Sequence, residues 1–204
     1  MEDRLKKTLR AISLETRHIL EGQNSEAGDL EQQLNRLGIW RNRSKPIEEM
    51  PHLSAEDREG RRVVDAYLDF RQEAGVERED AVAEFIREAA YTWANRLFAL
   101  RIMEARGIID EVIMKKEVYG GRSLVHNRFA KKNPEACRGE DDGLFAVLFN
   151  EFKDRSKDLP DLFNSESPAT KLRPSVMALK RIIALLSGLE KSSGQEAAID
   201  EIFE

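Results

Sequence analysis

The chain offers few side chains able to do chemistry, and they are scattered. Its three histidines, His18, His52 and His126, stand far apart, and no two of them, nor any with Cys137, share a metal-ligand spacing. Glu84 and Glu88 are one helical turn apart, but no histidine follows either of them at Glu-x-x-His spacing. A carboxylate-bridged metal pair inside a helical bundle is therefore unsupported, and two carboxylates on a helix rim is the plainer reading. The single cysteine, Cys137, adjoins Arg138, whose charge modestly favours the thiolate; with no histidine placed beside it by a motif, it reads as an exposed loop cysteine. Gly120-Gly121 lacks a preceding strand pattern and the Lys-Ser/Thr of a phosphate-cradling loop, so it reads as a turn. Ser-His-Asp and Cys-His nucleophile arrangements cannot be assembled from motifs either. These residues do not add up to an active site, and no metal or cofactor site is expected within the chain.

One pattern points instead to binding. Lys115, Lys116, Arg122, Arg128, Lys131 and Lys132 fall in one short segment against the single acid Glu117, with His126 and Asn127 interleaved and Tyr119 and Phe129 nearby. Such a cluster can track a phosphate backbone. It can equally be a solvated face balanced by Glu135, Glu140, Asp141 and Asp142 just downstream. What separates the two is whether the six cations are free on one face or each neutralised by a carboxylate.

The elements that must position these residues are helical. Charged residues make up 35% of the 204-residue chain and hydrophobic residues 41%, rich in the straight-chain types that lose little entropy in a helix. No stretch alternates apolar and polar residues long enough to read as a sheet. The net charge of −5 excludes a general attraction to nucleic acid, leaving room only for a local basic patch. One cysteine excludes an intrachain disulfide framework. With no secretory h-region in Met1 to Arg10, the expected setting is the reducing cytoplasm. Apolar runs such as Ile182 to Leu186 are too short to span a bilayer, so no membrane partner is expected.

Along the chain, Leu5, Leu9, Ile12, Ile19 and Leu20 form the stripe of a first helix, about Arg4 to Glu21, stopped by Gly22. A short helix follows from Asp29 to Leu37. Then comes an irregular connection holding Pro46 and Pro51, with Trp40 as an anchor into the core. Ser54 and Asp57 form a shortened capping box for a helix whose buried side is Val63, Val64, Tyr67, Leu68 and Phe70, ended by Gly75. The longest helix runs from Glu79 to Arg106. Residues 108–119 are ambiguous, since Ile109, Val112 and Ile113 suit a short helix or a brief strand. Ser123 caps a helix to Lys132, and Asp141 or Asp142 caps another that runs up to Leu159-Pro160. Pro174-Ser175 opens a last helix ended by Gly188. The fold class is all-α: a bundle of about six to eight helices around a central buried helix, about residues 79–106. Residues 1–190 form the helical domain, with a possible sub-boundary near 107–122. Residues 191–204, with the Ser192-Ser193-Gly194 joint and Ile199, Ile202 and Phe203, read as an acidic tail leading to a further element.

On a helical wheel the long helix is apolar nearly all round. Phe85, Ala89, Thr92 and Met103 share one side, Ile86, Trp93, Leu97 and Leu100 a second, and Tyr91, Phe98 and Ile102 a third. Arg96 falls inside the first of these sides. An unpaired guanidinium there would cost several kcal/mol by the ~3–5 kcal/mol scale for broken buried pairs, so it needs a carboxylate or carbonyl partner. Asp65, Asp69 and Glu104 are possible carboxylates for a buried structural ion pair; a phosphate is the functional alternative. Arg101 lies on a less apolar strip and is expected nearer the surface.

The stretch Glu88-Ala-Ala-Tyr-Thr-Trp-Ala-Asn-Arg-Leu-Phe-Ala-Leu-Arg-Ile-Met-Glu104 resembles a segment near the N-terminus of large bacterial adenine-specific DNA methyltransferases. These are the methyltransferases of bacteriophage-exclusion (BREX) systems and fused type II restriction-modification enzymes. Ala94 stands where that family usually has an aromatic residue. Leu159-Pro-Asp-Leu-Phe163, then Leu172-Arg-Pro-Ser175 and the Leu/Ile-rich helix to Leu186, follow the family's order of elements. The likeness spans most of residues 80–190 and is most specific over Tyr91–Glu104. It implies a modular enzyme in which a helical N-terminal region precedes a domain that binds S-adenosylmethionine and methylates N6 of a flipped adenine. This chain has no Asn/Asp-Pro-Pro-Tyr/Phe motif and no glycine-rich cofactor turn, and Asn133-Pro-Glu is neither, so no catalytic or cofactor residue carries over. The implied role is to clamp DNA through Lys115 to Lys132, or to dock on the catalytic domain or other subunits of the system. The alternative is a stand-alone protein-interaction adapter that does not touch nucleic acid.

Overall fold

The computed structural model describes residues 2–24 and 26–188, the first five of them in their backbone only. The Ser192-Ser193-Gly194 joint and the tail with Ile199, Ile202 and Phe203 lie outside the described residues. Eight α-helices are found among the described residues: α1 (Glu2–Glu21), α2 (Asp29–Arg36), α3 (Ala55–Glu73), α4 (Arg78–Ala105), α5 (Leu124–Lys132), α6 (Leu144–Arg155), α7 (Pro160–Phe163) and α8 (Val176–Ser187). Two antiparallel hairpins, β1 (Gly22–Gln23) with β2 (Glu26–Ala27) and β3 (Ile39–Trp40) with β4 (Arg43–Ser44), have strands of two residues each. With 67% of the described residues helical, the class is predominantly all-α. No helix among the described residues is long and apolar enough to cross a membrane.

The helix ends follow local chemistry. Ser54 and Asp57 complete the expected capping box: the serine hydroxyl accepts the Asp57 amide at 3.0 Å, and the Asp57 carboxylate accepts the Ser54 amide at 3.3 Å. Ser123 caps α5 through the His126 amide at 3.2 Å. Gly107 (φ +65°) provides the left-handed residue that stops α4. At α6 the expectation needs correcting. Its N-cap is Gly143 in the left-handed region, preceded by Asp142 at φ +55°, and Asp141 reaches in only to accept the Phe145 amide at 3.4 Å. The helix also stops at Arg155 rather than near Leu159, and the chain re-enters helix at Pro160, a favoured first-turn residue.

Contacts divide the chain into two compact units, with cuts inside α1, inside α4 and on either side of residues 166–175. One unit draws on Arg17–Trp93 and Glu166–Ser175. The other draws on Met1–Thr16, Ala94–Ser165 and Val176–Glu204, of which residues 2–16, 94–165 and 176–188 are described. In the first unit, Phe85, Trp93, Leu30, Leu34, Ile39 and Leu68 are fully buried, and Tyr67 tilts against Phe85 with ring centroids 5.0 Å apart. Gly60 on α3 faces the backbone of the 168–171 turn: a Cβ there would sit 3.3 Å from the Lys171 carbonyl oxygen. Trp40 is only half-buried, with the Arg43 guanidinium stacked 4.9 Å from its ring centroid. In the second unit, Leu97, Leu100, Ile113, Leu148, Phe163, Leu179 and Ile182 are buried, and Phe152 packs against Phe163 at 5.6 Å.

Two burial expectations are overturned. Phe70 is 66% exposed, because α3 turns Val64, Leu68 and the stem of Arg61 inward instead. The long helix is buried on two of its sides only. Tyr91 is 69% exposed and Ile102 is exposed, while Phe98 between them is half-buried, so the third side is covered only in part among the described residues. A phenol at the most open position keeps its hydroxyl in water.

Candidate functional site

The buried polar residues of α4, Trp93, Arg96, Arg101 and Glu104, bond to the backbone of the same chain. The Trp93 indole N–H donates to the Leu172 carbonyl at 2.8 Å. Arg96, 3% exposed, donates from Nε to the Leu162 carbonyl at 2.9 Å and from Nη2 to the Asn164 carbonyl at 2.6 Å. Its guanidinium lies 5.3 Å from the Phe152 ring centroid. The partners are thus carbonyls, and among the described residues none of Asp65, Asp69 and Glu104 pairs with it. A chain turn at 162–164 presents its oxygens edge-on to the planar fork, a geometry suited to Arg. Burial pulls the guanidinium down to about 10, so it stays charged at neutral pH.

Arg101, expected nearer the surface, is 3% exposed. It donates to the Leu186 carbonyl at 3.2 Å and lies 3.9 Å from the Glu104 carboxylate. Glu104 in turn accepts the backbone amides of Val112 and Ile113, and that of Met114 at 3.2 Å. This carboxylate explains why residues 108–115 are neither a helix nor a strand; a single 3-10 turn follows at Glu117–Tyr119. The carboxylate supplies the hydrogen bonds that regular structure would otherwise give, and pins Val112 and Ile113 into the core. Burial pushes its carboxyl up to about 7, against the opposing pull of the three amides and Arg101. Ser187 closes the same loop from α8, its hydroxyl donating to the Ile113 carbonyl at 3.0 Å.

The six basic residues behave differently. Lys116 pairs with Glu111, Arg128 pairs with Asp110, and Arg122 forms a two-pronged pair with Asp142 at 2.7 and 2.6 Å. Lys115 is half-buried and also has a partner. Lys131 and Lys132, at the end of α5, are exposed and form no ion pair among the described residues. The balancing acids are mostly Asp110 and Glu111, upstream of the segment, rather than the downstream group; of that group Asp142 takes part, and Glu135 pairs with Arg138. The arrangement is closer to a neutralised face than to a free cationic track.

Beside α5 and α6 lies an open cleft of about 450 Å³, floored by Ile109, Val125, Phe129 and Val147 and rimmed by Arg128, Lys132, Asn150, Glu151 and Arg155. Burial pushes the Glu151 carboxyl up, and Nε of Arg155 is buried without a partner. In the other unit, a groove of about 630 Å³ is lined by Arg17, Glu21, Tyr67, Arg71, Glu84, Arg87, Glu88 and Tyr91. Its three arginines and three glutamates balance. Arg71 bridges to Glu84 at 2.5 Å, Arg17 to Glu21 at 3.0 Å, and the Tyr67 hydroxyl donates to Glu88 at 3.3 Å. Tyrosine and arginine on a charge-balanced surface is the composition of a protein interface.

A third feature escaped the linear reading. His126, Cys137 and Asp142 bring one ligand atom each to within 4.8 Å of one another. The sequence separations resemble no metal motif; the 134–137 turn and the left-handed Asp142-Gly143 pair fold them together. Cys137 is half-buried rather than exposed, and desolvation, with Asp142 adding to it, pushes its thiol up.

No protein family, curated protein or solved structure matches the chain.

Proposed function

We propose that this chain is the non-catalytic helical N-terminal module of an adenine-specific (N6) DNA methyltransferase of a restriction-modification or phage-exclusion system, working in the cytoplasm. In this reading it docks on the catalytic domain or on other subunits rather than tracking DNA. One observation carries the reading. The side chains that mark the resembling stretch bond to the other stretches that carry the resemblance: Trp93 to Leu172, Arg96 to Leu162 beside Pro160, and Arg101 to Leu186. Three separated pieces of likeness are tied by one set of hydrogen bonds, as expected if they were selected together.

In this reading S-adenosylmethionine is held by the parent enzyme's catalytic domain. Among the described residues the hairpin strands are two residues long and no glycine-rich turn joins a strand to a helix, so no chemical step is assigned to this chain. Methyl transfer would fall to the parent enzyme's catalytic domain. Docking is favoured over a DNA clamp by the pairing of Lys116, Arg122 and Arg128 with carboxylates. The same pairing favours the second reading, an interaction adapter that does not touch nucleic acid. The charge-balanced groove around Tyr67 and Tyr91 suits a partner helix in either case.

Deleting the coding sequence from its host and mapping genomic N6-methyladenine tests the proposal. Loss of methylation at a defined target is expected; an unchanged methylome overturns the methyltransferase reading and leaves the adapter.

A further inference from the structure

We propose that His126, Cys137 and Asp142 form a binding site for a divalent transition-metal ion of the zinc type, which ties α5 to the turn before α6. A nitrogen, a sulfur and a carboxylate oxygen come from three separate elements, and all lie within 4.8 Å of one another. Around tetrahedral Zn²⁺, ligand distances of about 2.0–2.3 Å place donor atoms roughly 3.4 Å apart. Nε2 of His126 and Oδ2 of Asp142 already stand 3.4 Å apart. The mixed N, S, O donor set selects a borderline ion over Mg²⁺ or Ca²⁺, which take oxygen.

The surroundings hold the donors in place. His126 is buried, with its amide bonded to Ser123. Asp142 is fixed by Arg122, which bonds both carboxylate oxygens at 2.7 and 2.6 Å. An ionised carboxylate has about four acceptor positions, so each oxygen keeps one free, and Arg122 acts as the outer partner that orients a ligating carboxylate. The Cys137 sulfur is packed against the backbone at Gly143, where a Cβ would come within 2.9 Å of Sγ and 3.1 Å of the Phe129 ring. The φ of +74° at Gly143 suits glycine on the same account.

Without metal, Nε2 of His126 lies 2.7 Å from the Asp142 carbonyl oxygen. Binding replaces that contact. The Nε2 proton that bridges to the carbonyl passes through solvent to Nδ1, the metal takes the freed Nε2 lone pair and the thiolate, the thiol proton leaves to solvent, and the carbonyl oxygen or a water completes four-coordination. Affinity therefore rises with pH. No redox change is involved.

The test uses the whole chain, reduced and metal-free, titrated with Co²⁺ and then Zn²⁺. Cys137 is the only cysteine, so a thiolate-to-cobalt charge-transfer band reports this site alone. One Co²⁺ per chain with that band, displaced by Zn²⁺, is expected, together with a Zn²⁺-dependent rise in Tm. Cys137→Ser should abolish the band and the Tm rise, and His126→Gln should weaken binding at least tenfold. Should His126→Gln fail to fold, Cys137→Ser still decides, because the Cys137 side chain makes no hydrogen bond among the described residues that its loss would break. No band, a Tm rise that persists in Cys137→Ser, or one metal shared by two chains would each overturn the site.

Discussion

The buried polar side chains of α4 and the exposed ones of residues 110–142 carry similar charges and serve opposite ends. On α4, Trp93, Arg96 and Arg101 point inward and bond to main-chain carbonyls, while Glu104 gathers three main-chain amides. In the basic segment, Lys116 and Arg128 point outward and pair with side chains that water also reaches. A buried ion bonded to backbone cannot be removed without leaving unsatisfied groups behind, whereas an exposed pair exchanges for hydration. The contrast separates residues that build the module from residues that set its surface, although in sequence both look like charges on helices.

Breaking the α4 set should cost most. Trp93→Ala removes a fully buried ring and orphans the Leu172 carbonyl. About 3–5 kcal/mol is expected for such a truncation, enough to show as a collapse of the urea midpoint or as insoluble protein. Arg96→Met keeps much of the volume but removes the donor to the Leu162 and Asn164 carbonyls; about 2–3 kcal/mol is expected from two lost charge-assisted hydrogen bonds, read by urea unfolding.

Glu104 sharpens the comparison through pH. Burial raises its carboxyl from 4.5 to about 7 in the folded chain. Between those values the folded state holds a proton that the unfolded state has released. Its contribution to stability is therefore full below about 4.5 and falls as pH rises to about 7. Glu104→Gln should remove that slope. Urea midpoints that rise with pH across the window in the wild type would show that the amides of Val112, Ile113 and Met114 hold the carboxylate ionised throughout.

The surface set should cost least. Lys116→Ala and Arg128→Ala break exposed pairs and should each shift stability by about 0.5 kcal/mol or less. Lys131→Glu with Lys132→Glu should leave the fold intact. Gel-shift titration against salt should show weak duplex binding in the wild type and little further loss in this double variant. A steep salt dependence that the double variant abolishes would restore the DNA-clamp reading.

Much of the fold was legible because its determinants are local. The Ser54-Asp57 box, the Ser123 cap and the glycines at 22, 107 and 188 mark helix ends through groups a few residues away. What was not legible depends on residues far apart in the chain. The carbonyl partners of Arg96 lie more than sixty residues downstream, and a carbonyl leaves no signature in a side-chain sequence. The wheel placed Arg101 on a weakly apolar strip because it counts neighbours on the helix and not the α8 carbonyl that covers it. It also gave Tyr91 and Ile102 to the core, because apolarity alone does not say which side of a helix is covered. The His126–Cys137–Asp142 cluster depends on two left-handed residues in succession, Asp142 and Gly143, and only the glycine was a sequence cue.

The most direct test of the central claim is a paired urea denaturation of Arg96→Met and Arg128→Met in the same chain and buffer. The two changes are chemically identical, one on the inward set and one on the outward. A loss several times larger for Arg96→Met is the expected result. Equal losses, or a larger one for Arg128→Met, would contradict the division between charges that hold the backbone and charges that dress the surface.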